Sequence, residues 1–326
     1  MHQANVTTIT TIYLLGLQIP QSVTFLVFFL LFTVYFMTIC GNLLIIVLVS
    51  HSKNLHSPMY FFLTHLSLSD ILMATDILPS MLHAAMVKPN KISFTDCITQ
   101  FYFFDVSETS ECLLLTVMSY DRYLAICKPL HYHSLINTQL CLKMVIVTWI
   151  LSFSVVLIHT LTITKLQFCG PDIIDHFFCD LAPLLELSCS DTSLVQLEVT
   201  CLSALLVVIP FLIIIISYVY IIAAILQIPS ITGRQKAFST CSSHLAVVSM
   251  YYGTLVCVYL VPDRRYSWKI SKVLSLLYTV VTPLMNPIIY SLRNKELKKA
   301  VHKILNKLHD APQCLGVGKL GDILYI

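Results

Sequence analysis

Several acidic side chains in this sequence lie inside long apolar segments, where a carboxylate without a partner is costly. Among them are Asp70, Asp105, Glu108 and Glu111. A charge at the centre of a membrane helix costs roughly 2.5–3.5 kcal/mol on insertion scales. Carboxyl groups at such positions predict a binding role: they can hold a cation, accept a basic group or, when protonated, donate a hydrogen bond.

Asp70 and Glu111 are predicted to lie at similar depths. Glu111 follows Cys97 by 14 residues and Asp70 follows Pro58 by 12, which is roughly 21 Å and 18 Å of helix from opposite sides. In a span of about 40 Å including its interfaces, these depths coincide. Two carboxylates at one level repel each other unless they share a proton or a cation. Two interpretations stay open: a bound sodium ion, or one protonated carboxyl bonded to a neighbouring Ser or Asn.

Arg122 lies between Asp121 and Tyr123 at the end of an apolar run. A carboxylate beside a guanidinium at the membrane boundary can break and reform its pairing, so it is a candidate latch. The alternative is an ordinary juxtamembrane charge pair that obeys the positive-inside rule.

No catalytic motif accompanies these residues. The sequence contains no nucleophile elbow, no phosphate-binding glycine loop and no Cys/His cluster with zinc spacing. His65, His83, His159 and His244 lie on different segments and are interpreted as hydrogen bonders between helices. We therefore predict that the protein is not an enzyme.

Composition indicates a membrane protein. The chain has 326 residues, of which 57% are hydrophobic and 11% charged, and its mean hydropathy is +0.81. Soluble domains carry about 25% charged residues. The net charge of +3 is small and its basic residues are scattered, so a nucleic-acid partner is not expected.

Apolar runs predict an all-α bundle of seven membrane spans, because each is long enough to cross a bilayer. The predicted spans are residues 23–49, 58–86, 97–123, 144–164, 199–228, 237–261 and 270–290. A basic amphipathic segment at 293–307 is expected to lie on the inner leaflet, with a solvated charge run as the alternative. The expected divisions are an extracellular tail at 1–22, the receptor domain at 23–291 and a cytoplasmic tail at 292–326.

The orientation follows from the loop charges. With the N-terminus outside, 13 of the 20 Lys and Arg lie on the inner side, as the positive-inside rule requires. Asn5 then begins an extracellular glycosylation sequon. Cysteines 97, 169, 179 and 189 fall on the outer side, where disulfides persist. Four cysteines allow three pairings, and spacing does not choose among them.

Short motifs along nearly the whole chain resemble those of odorant receptors, of the tetrapod-type class, in the rhodopsin-like G-protein-coupled family. The resemblance covers residues 41–299. The matching stretches are Gly41-Asn42, LHSPMYFFL at 55–63, LSLSD ending at Asp70, MSYDRYLAICKPLHY at 118–132, Ser217-Tyr218, KAFSTCSSHL at 236–245 and PLMNPIIYSLRNKELKKA at 283–300. The sixth span departs from the broader family, because it contains no proline and has Tyr251-Tyr252-Gly253 where many relatives carry Trp-x-Pro.

The resemblance implies a pocket for a small volatile ligand between the outer halves of spans three, five, six and seven. Helical spacing on span three and the resemblance elsewhere give the candidate lining: Phe104, Asp105, Glu108, Thr109, Cys112, Leu202, Ser203, Tyr252, Leu255, Tyr259, Leu276 and Thr279. The acidic wall predicts a weak, micromolar-range ligand with a hydrogen-bonding or basic group, and not a carboxylic acid. The alternative is that Glu108 turns toward span two and never meets the ligand.

The resemblance also implies an activation mechanism. The ligand favours a packing in which the inner end of span six swings outward and admits a stimulatory heterotrimeric G protein, which raises cyclic AMP. The switch residues would be Asp121, Arg122, Tyr123, Tyr218, Asn286, Pro287 and Tyr290. The implied disulfides are Cys97–Cys179 and Cys169–Cys189, and sodium becomes the favoured interpretation of Asp70 and Glu111. The expected location is the plasma membrane.

Three other classes of protein are conceivable on these features. A transporter would show internal repeats, which the sequence lacks. A light receptor would need a lysine in span seven, and residues 275–290 contain none. A receptor for a peptide or a biogenic amine fits the fold alone, but the odorant-type motifs argue against it.

Overall fold

The computed structural model describes residues 9–87, 90–169, 171–260, 268–294 and 296–301. Within these ranges seven long helices, α1 to α7 in chain order, form one bundle. They are Thr24–His51, Pro58–Met86, Phe94–Cys127, Thr138–Thr164, Ser193–Leu226, Ile231–Leu260 and residues 268–293. The helices match the seven predicted spans, although α3 begins three residues before its predicted start and α4, α5 and α6 each begin six residues before theirs.

Five of the described helices, namely α1, α2, α4, α5 and α7, are long and apolar enough to cross a membrane. Helices α3 and α6 carry more polar residues. Their polar side chains are tolerated because they face other helices rather than lipid: Ser107, Ser110 and His244 are fully buried. The apolar side chains of α1, α4 and α5 are instead widely exposed, as expected of a lipid-facing surface.

A three-stranded sheet covers the outer end of the bundle. Strand β1 (Thr11–Leu14) pairs antiparallel with β2 (Asn90–Ser93) and parallel with β3 (Ile173–Ile174). Ile12 and Leu14 are buried, because alternate side chains of a strand point to one face. The predicted all-α membrane bundle is thus confirmed, and the outer face adds a small sheet to it, in which part of the predicted tail 1–22 is a strand.

Charged and polar contacts hold this outer layer to α7. The Lys272 ammonium donates to the carbonyl oxygen of Gly16 at 2.8 Å and to Oδ1 of Asp175 at 2.6 Å. Gln18 also donates to Asp175, at 2.9 Å. Gly16 has a φ of +64°, a left-handed conformation that glycine adopts without steric cost. The N-terminal segment, the long outer loop and α7 therefore form one cap.

Two helix irregularities lie close to the functional regions. Residues 204–208 of α5 and residues 277–281 of α7 form π-helical turns, which are rare and recur at functional sites.

Near the inner half, Gly41 lets α1 approach α7: a Cβ at this position would lie 3.1 Å from Cγ of Pro287. Asn42 then donates to the carbonyl oxygen of Pro283 at 3.1 Å.

Candidate functional site: an outer cavity and an inner polar core

An outer cavity of about 160 Å³ lies between α3, α4, α5 and the loop that precedes α5. Its wall combines apolar side chains with three carboxylates, one histidine and two hydroxyl groups. The lining residues are Phe101, Phe104, Asp105, Glu108, Thr109, Val155, Val156, His159, Asp180, Leu181, Val199, Leu202, Ser203, Leu206 and Val207. Small-molecule sites have this composition of a largely apolar wall with a few polar anchors.

The three carboxylates belong to Asp105, Glu108 and Asp180, and they are close enough to repel one another. Asp180 begins a short helix, Leu181–Glu186, and its Oδ1 accepts a hydrogen bond from the Leu181 amide at 2.7 Å. Burial raises the pKa of Asp180, and the hydrogen bond from Leu181 opposes that shift. No lysine or arginine lines this cavity among the described residues.

Asp180 is held over α3 by the outer loop. A disulfide joins Cys97 at the start of α3 to Cys179. The amide of Cys179 also donates to Oε1 of Gln100 at 3.0 Å, and Nε2 of Gln100 donates to the carbonyl oxygen of Asp76 at 3.1 Å. The second disulfide joins Cys169 to Cys189 within the loop. Both pairs are those that the resemblance implies.

Beside the cavity residue Leu206, α3, α5 and α6 are in contact. The thiol of Cys112 donates to the carbonyl oxygen of Leu206 at 3.0 Å and lies 2.9 Å from the Tyr252 hydroxyl. Leu206 belongs to the π-helical turn of α5. Tyr252 in turn stacks on Phe211 at a centroid distance of 4.4 Å.

The structure brings together only part of the predicted ligand set. Phe104, Asp105, Glu108, Thr109, Leu202 and Ser203 line the cavity. Cys112 and Tyr252 do not line it but contact each other beside Leu206, which does. Leu255 is buried in the main core, Leu276 packs against the cluster around Tyr278, and Thr279 is fully buried and donates to the carbonyl oxygen of Ser275. The side chain of Tyr259 lies outside the described residues, as does Asn5.

The sequence interpretation placed the pocket among spans three, five, six and seven. In the described part of the chain the cavity instead uses α4 and the outer loop, and it omits α6 and α7. Asp180 and His159 were therefore missed. A signal existed for Asp180, because it directly follows Cys179 and the disulfide brings that segment onto α3. Nothing in the sequence shows which face of α4 meets α3.

A second group of polar side chains lies deeper in the bundle. Nδ2 of Asn286 donates to both oxygens of Asp70, at 2.9 Å and 3.1 Å, and to Oε1 of Glu111 at 3.1 Å. Asp70, Glu111 and Asn286 are each at most 2% exposed. The two carboxyls, predicted to lie at similar depths, thus both contact one amide from α7.

At the inner end of α3, Arg122 pairs with Asp121 through Nε at 2.9 Å and through a second, shorter contact. The Tyr132 hydroxyl donates to Oδ1 of Asp121 at 2.6 Å. Within the described structure Tyr218 forms no hydrogen bond with Arg122: its hydroxyl donates to Nδ1 of His244 at 2.7 Å, and Nε2 of His244 donates to the carbonyl oxygen of Leu115 at 3.1 Å. His244 thereby connects α5, α6 and α3.

An inner cleft of about 560 Å³ opens beside this network and is lined by Arg122, Ser243 and Tyr290 among others. Tyr290 is fully buried and Pro287 lies within α7 against Gly41. Tyr123 packs edge-on against Tyr220. Beyond α7, the Tyr60 hydroxyl of α2 donates to Oδ1 of Asn294 at 3.0 Å, near the start of the predicted basic segment.

That basic segment is described over residues 296–301, which are helical. Leu297 is fully buried, and Val301 packs against the core. Lys298 and Lys299 are exposed, so the helix is amphipathic over its described part. Apart from Asn294, the remainder of 293–307 lies outside the residues whose side chains are described.

The helical bundle, its apolar outer surface and the buried polar core define a multi-pass membrane protein with an internal small-molecule cavity. The chain matches the family model for olfactory receptors over residues 31–308. It is 44% identical over 307 residues to olfactory receptor 1468 of Rattus norvegicus, covering 94% of this chain and 98% of that protein. It is also 44% identical to olfactory receptor 11L1 of Homo sapiens (94% and 95%) and to olfactory receptor 1M1 of Mus musculus (94% and 98%).

The chain therefore belongs to the olfactory receptor family. Membership makes it an odorant receptor that couples to G proteins, and not an enzyme. The family also implies seven spans, in agreement with α1 to α7.

Proposed function

We propose that a small odorant binds in the outer cavity and activates a stimulatory heterotrimeric G protein at the inner cleft, which raises cyclic AMP. The observation that carries this proposal is that one helix, α3, forms part of both sites. Asp105 and Glu108 line the cavity, and Arg122 lines the cleft on the same helix.

The cavity also borders the helix that must move. The Tyr251 hydroxyl of α6 donates to the carbonyl oxygen of Glu108 at 3.1 Å, and Tyr252 contacts Cys112. A ligand beside Glu108 and Leu206 changes the packing of α3 against α5 and α6. It acts only through its different affinity for the resting and active packings.

At the inner end, the outward movement of α6 would separate His244 from Leu115 and Tyr218. Both hydrogen bonds of His244 cross between helices, so they stabilise the closed packing. Arg122 would then leave Asp121 and face the G protein, while Tyr132 still donates to Asp121. Asn286, Pro287 and Tyr290 would form the hinge of α7.

We place the receptor in the plasma membrane with an extracellular N-terminus and a glycan at Asn5. Both disulfides lie on the face that carries the three-stranded sheet, and disulfides persist in oxidising compartments. The exposed lysines of the helix at 296–301 suit the anionic lipids of the inner leaflet.

We also propose that Asp70 and Glu111 share a sodium ion in the resting state. The Asn286 amide donates to three of their four oxygens, which leaves Oε2 of Glu111 and the second lone pairs of the other three for a cation, and oxygen ligands suit hard cations. Replacing sodium by an organic cation at matched ionic strength should raise basal cyclic AMP in the unmodified receptor and leave Asp70→Asn unchanged. Equal basal signals in the unmodified receptor would exclude a regulatory ion.

The coupling proposal is tested by a cyclic AMP reporter assay of the surface-expressed chain against a broad odorant panel. Responses should appear in cells that contain the stimulatory α subunit and vanish in matched cells that lack it. A response that persists without that subunit would contradict the assignment of the partner.

A further inference from the structure

The outer cavity brings three carboxyl groups close together. Asp105, Glu108 and Asp180 line it together, and no lysine or arginine does so among the described residues. The side-chain oxygens of Asp105 and Glu108 accept no hydrogen bond within the described structure, whereas Asp180 accepts one, from Leu181. Carboxylates in largely apolar surroundings are normally paired.

His159 gives a second, independent indication of a ligand. It is 4% exposed, it lines the cavity, and its Nδ1 has no hydrogen-bond partner. The nearest carboxylate oxygen, Oε1 of Glu198, lies 3.6 Å from Nδ1, beyond hydrogen-bond distance. A buried imidazole nitrogen without a partner at a cavity wall can accept a hydrogen bond from a bound donor.

The size and wall of the cavity limit what can bind. Its volume is about 160 Å³, and a cavity of about 150 Å³ in another protein holds benzene. The ligand therefore has about six to eight non-hydrogen atoms. Val155, Val156, Leu202 and Val207 supply an apolar surface for a hydrocarbon body, so only one end of the ligand can face the carboxylates.

We propose that this cavity selects small protonated amines, with the ammonium group between Asp105, Glu108 and Asp180 and the hydrocarbon body against α4 and α5. The inference rests on the proposed ligand site and narrows its ligand class. An ammonium group has three donors and no acceptor, which complements a wall of carboxylates. A carboxylic acid of the same size is repelled by the same three groups.

The test uses amine and alcohol pairs of equal shape: pentylamine with pentanol, cyclohexylamine with cyclohexanol, and benzylamine with benzyl alcohol. Each amine should activate the full chain at a concentration at least about tenfold lower than its alcohol, because hydrogen bonds to charged groups are the stronger kind. Alcohols equal to or better than their amines in all three pairs would overturn the proposal.

Matched variants locate the effect. Asp105→Asn and Glu108→Gln should each weaken the amines about tenfold to a hundredfold and change the alcohols little, since shape is retained and charge is lost. Asp180→Asn should act likewise, because Asn also serves as a helix N-cap. The control is Asp172→Asn, an exposed loop carboxylate whose loss should leave the preference unchanged. Equal effects of Asp172→Asn and Glu108→Gln would contradict a local role.

Binding measured directly separates this inference from the proposed coupling. In a thermal-shift assay of the purified receptor, each amine should raise the melting temperature of the unmodified chain more than it raises that of Glu108→Gln at the same amine concentration. Amine binding without any cyclic AMP response would keep the inference and overturn the coupling. Activation by alcohols alone would keep the coupling and overturn the amine inference. A panel in which no amine binds would also overturn the amine inference.

Discussion

The outer cavity and the inner polar core both place carboxylates inside a membrane bundle, but they treat them differently. In the core, Asp70 and Glu111 share the amide of Asn286, and Asp121 is paired with Arg122. In the cavity, Asp105 and Glu108 accept no hydrogen bond within the described residues. Carboxylates that pair within the protein stabilise one of its conformations. Carboxylates left unpaired at a cavity wall can bind a ligand.

The comparison predicts that disrupting the core abolishes the response to every ligand. Arg122→Ala should abolish the cyclic AMP response while the receptor still reaches the surface, because Tyr132 continues to satisfy Asp121. Surface labelling and a reporter assay in the same cells measure both properties. Lys143→Ala, an exposed basic residue of α4, is the control and should signal normally. A full response from Arg122→Ala would refute the latch.

The outer layer should depend unequally on its two disulfides. The Cys97–Cys179 bond spans 82 residues and the Cys169–Cys189 bond spans 20. Because it closes the longer loop, the first bond should stabilise the folded protein by about 1 kcal/mol more than the second. The first bond also holds Asp180 over α3. Cys97→Ser should therefore reduce surface expression and ligand response more than Cys169→Ser.

Surface labelling of the two single variants gives the ranking. If Cys169→Ser proves the more damaging change, the lid role assigned to the longer bond is wrong.

The last prediction concerns the stability of the cap in acid. Burial, and next the nearby Lys272 ammonium, lower the pKa of His176 to about 4, against an opposing effect of Asp175. Because the unfolded chain binds this proton near pH 6.5, stability is full above that pH and falls as pH drops toward 4. The loss at pH 5 is about 2 kcal/mol. No comparable loss is predicted between pH 7 and pH 8.

Melting temperatures of the purified receptor at pH 7 and pH 5 measure this loss. His176→Gln removes the titrating group and should show a smaller difference between the two pH values. An identical difference in both proteins would show that acid acts elsewhere.

The sequence predicts the inner core better than the outer cavity, for physical reasons. Long apolar runs identify the helices, and the rise per residue places Asp70 and Glu111 at one level. The position of Asp180 depends on a loop and a disulfide, and that of His159 on the face that α4 turns to α3. The strand Thr11–Leu14 gains its partners only after the chain folds. These features depend on tertiary contacts, so the local sequence gives little indication of them.

The division of labour between cavity and core is tested most directly by measuring ligand binding and cyclic AMP together in Glu108→Gln and Arg122→Ala. The account predicts that Arg122→Ala binds ligand as the unmodified receptor does and produces no signal. It predicts that Glu108→Gln signals to the same maximum but with a changed order of ligand potency. Loss of binding in Arg122→Ala, together with an unchanged order of potency in Glu108→Gln, would contradict the account.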